Sequence, residues 1–278
     1  MRARPLPSPS LVAVAVAIAL TGLAGAARAE TPQDNWWGEL EYFYPTISST
    51  VRLDFPQTEA PGTETKLEDD LGLTDRKGTP YLLLGARFAT NWRVEFEYYF
   101  LERSGDRHLS REIHWGDVDY QAGADVHSIF NTNVYRIVAG YSFYRTPIAE
   151  AGATFGIHTT EFKVGLSGTG DRGGATGFQT ETKNVLVPLP TIGLYGSYMF
   201  SDQWMVRGRF DVLSLTIDQY DGQLVNSMIA FDWRFAKSWG AGLGYRYVSY
   251  NLKSTTENFH GEVKYDFKGP TIFLEAGF

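Results

Sequence analysis

The chain contains no cysteine. That excludes disulfides, which an exported protein would otherwise be free to form, and it excludes lipid attachment at an N-terminal cysteine. After residue 30 there is no apolar run approaching 18 residues, so no transmembrane helix is expected in the mature chain. Base is also in short supply: 25 Lys and Arg stand against 32 Asp and Glu, for a net charge of −7. Nucleic-acid binders carry basic patches, so nucleic acid is excluded as a partner.

The one long apolar run is at the start. Met1-Arg2-Ala3-Arg4 is followed by a Pro/Ser stretch, then by apolar residues from Leu11 to about Ala27, and the run ends in Ala27-Arg28-Ala29. A basic start, an apolar middle and a small-residue exit predict a secretory signal peptide over 1–29, cleaved near Ala29. The mature domain is then 30–278. Its charge is −10, because the leader takes Arg2, Arg4 and Arg28 with it and no acid. A membrane anchor is the competing reading, but the run is slightly short for a span and stops at a cleavage site.

Aromatic residues make up 15% of the chain and glycine numbers 29. From Trp36 onward the dominant period is two. In 92–103, Val94, Phe96, Tyr98 and Phe100 fall on one side, and Arg93, Glu95 and Glu97 on the other. Successive strand side chains point to opposite faces, so this segment has one apolar and one charged face, whereas a helix would scatter both sets. The same alternation runs through 81–88, 134–144, 148–158, 204–212, 229–235, 239–248 and 270–278, and more weakly through 38–44 and 191–200. That predicts ten strands, with eight or twelve as neighbouring counts.

The expected connections alternate in length. Short links fall near Ala89–Asn91, Arg145–Pro147, Ser201–Gln203 and Ala236–Ser238. Longer ones fall near 56–78, 104–126, 167–184 and 252–262, and Asp218–Gly222 reads as a tighter hairpin. Outer-membrane barrels have short periplasmic turns and long outer loops. Alternation alone does not say which face points inward. Aromatic residues crowd the short-turn ends, among them Trp92, Phe143, Tyr144, Phe200, Trp204, Trp233, Phe235 and Trp239, as in the girdles at a membrane interface. The opposite face mixes Arg, Glu, Asp, Gly and Thr, which suits a crowded polar interior. The fold class predicted is all-β, an antiparallel transmembrane β-barrel that closes on itself because lipid tolerates no unpaired edge.

The ending Gly-Pro-Thr-Ile-Phe-Leu-Glu-Ala-Gly-Phe resembles the C-terminal strand of Gram-negative outer-membrane proteins. The resemblance is to the small one-domain barrels of that class and reaches no single subfamily. It implies residence in the bacterial outer membrane, with lipid and lipopolysaccharide as surroundings. It implies assembly by the barrel-assembly machinery, with Phe278 as the aromatic it reads. The class includes structural barrels, narrow pores, adhesins, proteases and lipid-modifying enzymes.

The expected lumen face carries Glu39, Glu41, Glu95, Glu97, Glu150, Asp211, Asp232 and Glu275 with Arg87, Arg93, Arg136, Arg207, Arg209, Arg234 and Arg246. The bases are all arginine, whose planar fork suits bidentate pairing with carboxylates. One reading is an ion-pair network filling the barrel, since about eight strands enclose just enough space for their own side chains. The other is a narrow pore whose charges select small solutes. A surface hydrolase is the enzymatic alternative, resting on His108, His114 and His127 near Asp106, Asp117, Asp119 and Asp125, and on His260 near Glu262 and Asp266. No spacing among them repeats a known signature, and a loop-mediated adhesin is a third alternative. Glu68-Asp69-Asp70 with Asp75 offers oxygen ligands of the kind Ca²⁺ or Mg²⁺ takes, though a solvated acidic loop is the plainer reading. Gly168–Gly177 lacks the strand–helix context and the Lys-Ser/Thr ending of a phosphate loop and reads as a flexible loop. No cofactor is expected, and the oligomeric state is not legible.

Overall fold

The computed structural model describes residues 32–54, 61–217, 219–256 and 260–278. The expected leader and its cleavage site at Ala29, parts of the 56–78 and 252–262 links, and Asp218 lie outside the described residues.

Ten strands close a ring. They are β1 (Trp36–Phe43), β4 (Thr79–Arg87), β5 (Trp92–His108), β8 (Asp125–Arg145), β9 (Ala149–Arg172), β10 (Ala175–Met199), β11 (Trp204–Ile217), β12 (Tyr220–Arg234), β13 (Trp239–Thr255) and β14 (His260–Gly277). Each pairs antiparallel with the next, and β14 pairs with β1 from Trp37↔Gly277 to Phe43↔Thr271. The ten alternating segments of the sequence are the ten ring strands, and the four short links are tight turns such as Trp92 N–H to Ala89 C=O. Closure is sealed at the bottom, where the Phe278 N–H donates to Trp36 C=O at 2.8 Å and the Asn35 N–H to Phe278 C=O at 2.8 Å.

The apolar face is the outer one. Leu40, Ile137, Phe155, Leu194, Phe210, Ile229 and Ile272 are each about half or more exposed. A continuous apolar band on the outside of a closed ring is a lipid-facing surface, because the strands' hydrogen bonds are all internal and the side chains match hydrocarbon. The aromatic ring at the short-turn end is built from cross-strand neighbours: Trp204 stacks on Trp233 with ring centroids 6.1 Å apart, and Trp92 meets Tyr141 edge-on at 5.0 Å.

Above the band the strands continue, and here the fold departs from the sequence expectation. The 167–184 stretch is not a loop. β9 and β10 run through it as a ribbon and join at Gly173-Gly174, whose φ angles of 61° and 87° are those of a two-residue hairpin turn. The 104–126 stretch is shared between β5, β8 and a small hairpin, β6 (Ile113–Trp115) with β7 (Val118–Tyr120). A strand also exists where none was expected: β2 (Thr46–Leu53) continues upward along β14 after a break at Tyr44-Pro45. The physical reasons differ. The 167–184 ribbon stands in water with both faces open, so its ladder persists after the apolar/polar alternation has faded, whereas β2 and the β6–β7 hairpin keep an alternation that puts Ile47, Val51, Leu53, Ile113, Trp115 and Val118 inward.

The upper wall leaves a notch between β2 and β5, because β4 starts only at Thr79. Segment 61–78 fills it, through β3 (Thr65–Lys66) and the single-turn α1 (Leu67–Leu71). The Ile47 N–H donates to Asp75 C=O at 2.7 Å, and Lys77 reaches Glu102 C=O. Among the described residues no helix is long and apolar enough to cross a membrane, so the crossing is made by strands alone.

A charge on the outer face tests this orientation. Phe96→Arg and Phe210→Arg, near mid-band, are expected to cost about 2–4 kcal/mol each in urea unfolding from lipid vesicles. Wild-type stability for both would reverse the assignment of faces.

Candidate functional site

The fifteen expected lumen residues all sit on the inward phase of ring strands. All but Arg234 are buried, and Arg234 is half-buried at the short-turn end of the barrel. They form two connected layers. In the lower one Arg87 donates to both oxygens of Glu150 at 2.9 and 3.0 Å, and Ser142 bridges Glu150 to the Tyr195 hydroxyl. Arg93 pairs with Glu95 at 3.2 Å and lies 3.6 Å over the Tyr195 ring. Across the barrel Arg207 grips Glu39 through its Nη2 at 2.7 Å and Asp232 through its Nε at 3.0 Å. Glu275 shares this end, against Gly240.

The upper charged layer centres on Glu97. It accepts from Arg136, Arg209 and the Tyr81 hydroxyl. Arg136 and Arg209 also share Asp211, at 2.8 and 3.1 Å, and Thr154 donates to the same carboxylate at 3.0 Å. Arg246 pairs with Glu41 at 3.2 Å and lies 4.3 Å over the Tyr81 ring. Arg136 is fully buried at 0% exposure, which only works because both ends of its guanidinium meet a carboxylate. The register explains the meeting. Glu97 lies directly opposite Arg136, and the inward phase carries each strand's charge to the same level.

Above this layer the lumen turns apolar without any change of phase. Phe130, Phe162, Tyr250, Tyr265 and Phe267 project from β8, β9, β13 and β14 and interlock, with Tyr265–Phe267 centroids at 4.9 Å and Phe130–Tyr265 at 5.2 Å. His158 lies beneath them against the Tyr250 hydroxyl. A lid closes the top. Leu67 and Leu71 of α1 pack with Val51, Leu53, Ile113, Trp115 and Val118, all buried. Arg103 ties lid to barrel: it donates to Glu68 at 2.6 Å and to Thr74 C=O at 3.1 Å, and Glu68 also accepts from the Ser49 N–H at 2.9 Å. Burial, with the nearby Glu181 carboxylate, pushes the Tyr120 hydroxyl up to about 12, so it stays protonated and donates to Leu166 C=O at 2.8 Å.

The aromatic plug was not singled out in the sequence. Its signal is there: along β8 the inward positions run Arg136, Val134, Thr132, Phe130, and the outward ones run Ile137, Tyr135, Asn133, Asn131. The phase is constant and the polarity inverts.

The histidines fall in separate places. His108–Asp125 at 2.9 Å and His127–Asp106 at 2.8 Å are neighbouring cross-strand pairs on the β5–β8 ladder, and His114–Asp119 at 2.6 Å bridges the β6–β7 hairpin. His260 starts β14, pairing across the ladder with Thr255. The acidic run 68–70 is held by cations: Glu68 by Arg103, Asp70 by Arg111 at 2.8 Å and Asp69 by Lys66 at 4.0 Å. Among the described residues no three His, Asp or Glu side chains are grouped so as to hold a metal.

No protein-family model matches the chain, and no curated protein matches it. Solved structures do. The outer membrane protease OmpT of Escherichia coli aligns over 90% of this chain and 98% of its own at 10% identity, with a TM-score of 0.60. The translocator domain of the autotransporter NalP from Neisseria meningitidis aligns over 97% and 95% at 12% identity and 0.39, and the toluene transporter TodX of Pseudomonas putida over 88% and 89% at 9% and 0.35. At such identities the likeness is one of fold, and only the first is close enough to carry weight. The chain has the fold of the small Gram-negative outer-membrane β-barrels.

The charged layers make a measurable prediction. Glu97→Ala strands two buried guanidinium groups and is expected to cost about 3–5 kcal/mol, whereas removing the Glu41–Arg246 pair whole, as Glu41→Leu/Arg246→Met, is expected to be near neutral. Urea midpoints of the two variants, compared with the parent, check the contrast.

Proposed function

We propose that the protein is a non-enzymatic outer-membrane barrel with a closed lumen, acting at the cell surface through its rigid outer head. The observation that carries this is the succession of fillings across one bore: two ion-paired layers, an aromatic plug and a lid with its own apolar core. A ten-strand ring is near the size its own side chains can fill. A pore for small solutes would need water along that path, and the charges that could line it are spent on one another. The head, about as tall as the β9–β10 ribbon allows, is built like a soluble barrel and offers a fixed surface for contact with other molecules. In this reading residues 1–29 direct export and are removed, lipopolysaccharide surrounds the outer half of the barrel, and the assembly machinery reads Phe278.

A surface hydrolase is the second reading, favoured by the 2.6 Å His114–Asp119 pair and by the fold shared with a protease. It is the weaker one, because two of the three His–Asp pairs are exposed neighbours on the β5–β8 ladder and the third bridges the separate β6–β7 hairpin.

Conductance decides the main reading. The purified mature protein, with folding verified by heat-modifiable migration, is expected to leave a planar bilayer silent. Steady discrete openings would replace the closed barrel with a pore, and their ion selectivity should then follow Arg207→Glu and Arg209→Glu. For the hydrolase reading, turnover of peptide or lipid substrates that vanishes in a folded His114→Ala variant is the outcome that would establish it.

A further inference from the structure

The wall has a second discontinuity, between β10 and β11, which no segment among the described residues fills. The two strands pair only from Ile192↔Val212 to Met199↔Met205. Above that level both continue as strands, β10 down its full length against β9 and β11 against β12, yet they do not pair with each other. The cause is local. The Met199 N–H donates to Ile148 C=O on the β9 side, so the odd residues of β10 face β9 and the even ones face β11. Continuing the register would place Pro190 opposite Ser214 and Pro188 opposite Thr216. Both prolines lack the N–H that each step of the ladder requires, so the seam cannot zip. Ser214 and Thr216 are exposed, with their backbone groups turned to that open side.

Directly below the seam, on the lipid-facing side, the same two strands are hollowed. Gly196 and Gly208 lie opposite each other on the outward phase. Neither has a positive φ, and an added Cβ would meet nothing nearer than 3.4 Å at Gly196 or 3.5 Å at Gly208. Backbone geometry does not demand glycine at either position. Their effect is an open groove of about 580 Å³, walled on the outward phase by Leu194, Tyr198, Val206, Phe210 and Ile229 and bounded on the inward phase by Glu150, Tyr195, Arg207 and Arg209. That is within the range of small-molecule sites, about 300–1,000 Å³.

We infer that the β10–β11 strip is a binding site for one phospholipid molecule. Its acyl chain lies in the Gly196–Gly208 groove, and its ester or phosphate oxygens accept from the free N–H groups of Ser214 and Thr216. The spacing fits. Pro190 to Gly196 is about 20 Å of strand. At a tilt of about 40° that is roughly 15 Å of depth, which is half of a hydrocarbon core of about 30 Å. Hydrocarbon is what surrounds the groove, and an acceptor-bearing headgroup is what sits at the height of the seam. A free N–H at that height, unlike one in the hydrocarbon, can be met by a headgroup or by water. The site requires the barrel to span the membrane, but it does not depend on the lumen being closed.

The test uses the full mature protein in phosphatidylethanolamine/phosphatidylglycerol vesicles doped with a phospholipid carrying a photoactivatable diazirine. With the diazirine on the acyl chain, cross-links are expected several-fold denser on 192–212 than on the equally apolar β8–β9 wall around Ile137 and Phe155. With it on the headgroup, they are expected at 186–191 and 213–217. Gly196→Leu/Gly208→Leu should bring the acyl labelling down to the level of the β8–β9 wall. Pro188→Thr/Pro190→Thr, which restores both donors, should abolish the headgroup labelling. Even labelling around the wild-type band overturns the site without recourse to any variant, and so does labelling unchanged in a folded, groove-filled protein. The conductance measurement is independent of either result.

Discussion

Lipid gives a spanning strand no partner for its backbone except another strand, and everything else in this molecule follows from meeting that requirement. Ten strands closed into a ring satisfy every ladder bond within the hydrocarbon, and the price is an inverted interior. The faces turned to lipid must be apolar, so the polar positions are forced into the bore. There the polar side chains cannot be left as single charges, because a guanidinium or carboxylate buried alone is far costlier than a buried pair. The resulting network is dense, all-arginine on its cationic side, and shared: Glu97 serves three donors, and Asp211 accepts from Arg136 and Thr154 and ion-pairs with Arg209. Arginine suits this because one planar group can hold two carboxylates at once, as Arg207 does with Glu39 and Asp232.

Where the strands leave the lipid, the requirement changes and the polarity with it. Along β14, Glu275 points in and Leu274 out near the bottom, while higher up Phe267 and Tyr265 point in and Lys268 and Asp266 out. The same ladder is a membrane barrel below and a water-soluble one above. The upper half can therefore hold an ordinary apolar core, and it uses that core to seat the plug and lid. Arg103 is the exception that joins the halves, a buried cation under the lid that is satisfied by Glu68 from α1 and the carbonyl of Thr74.

The two breaks in the wall show how the ring relaxes once water is available. Between β2 and β5 the notch is filled by 61–78, held by backbone bonds and by Glu68. Between β10 and β11 two prolines leave the ladder open, at a level where unpaired backbone groups are no longer prohibitive. The notch sits above the apolar band, and the seam opens at the band's upper edge, where Pro190 lies opposite Ile157 and Ser214 and Thr216 follow Val212.

How far the sequence reaches follows from the same physics. The ten spanning strands, their short turns and the set of inward charges were legible because lipid on one side and a crowded bore on the other impose strict alternation on residues such as Val94, Glu95 and Phe96. The upper strands were not legible at 46–53 and 167–184: along 46–53 Ser48 and Ser49 interrupt the run of Ile47, Val51 and Leu53, and along 167–184 water tolerates polar residues on both faces and the period weakens. Nor were the pairings: nothing in the spacing of Glu97, Arg136, Arg209 and Asp211 says that they meet, since they come from three strands whose neighbours are set by ring closure. The sequence by itself determined which residues alternate and hence which could face lipid. Only the tertiary structure decided which charges pair, where the bore turns from ionic to aromatic, and that Pro188 and Pro190 open a seam. Those depend on register between distant strands, and register belongs to the closed ring and not to any one segment of it.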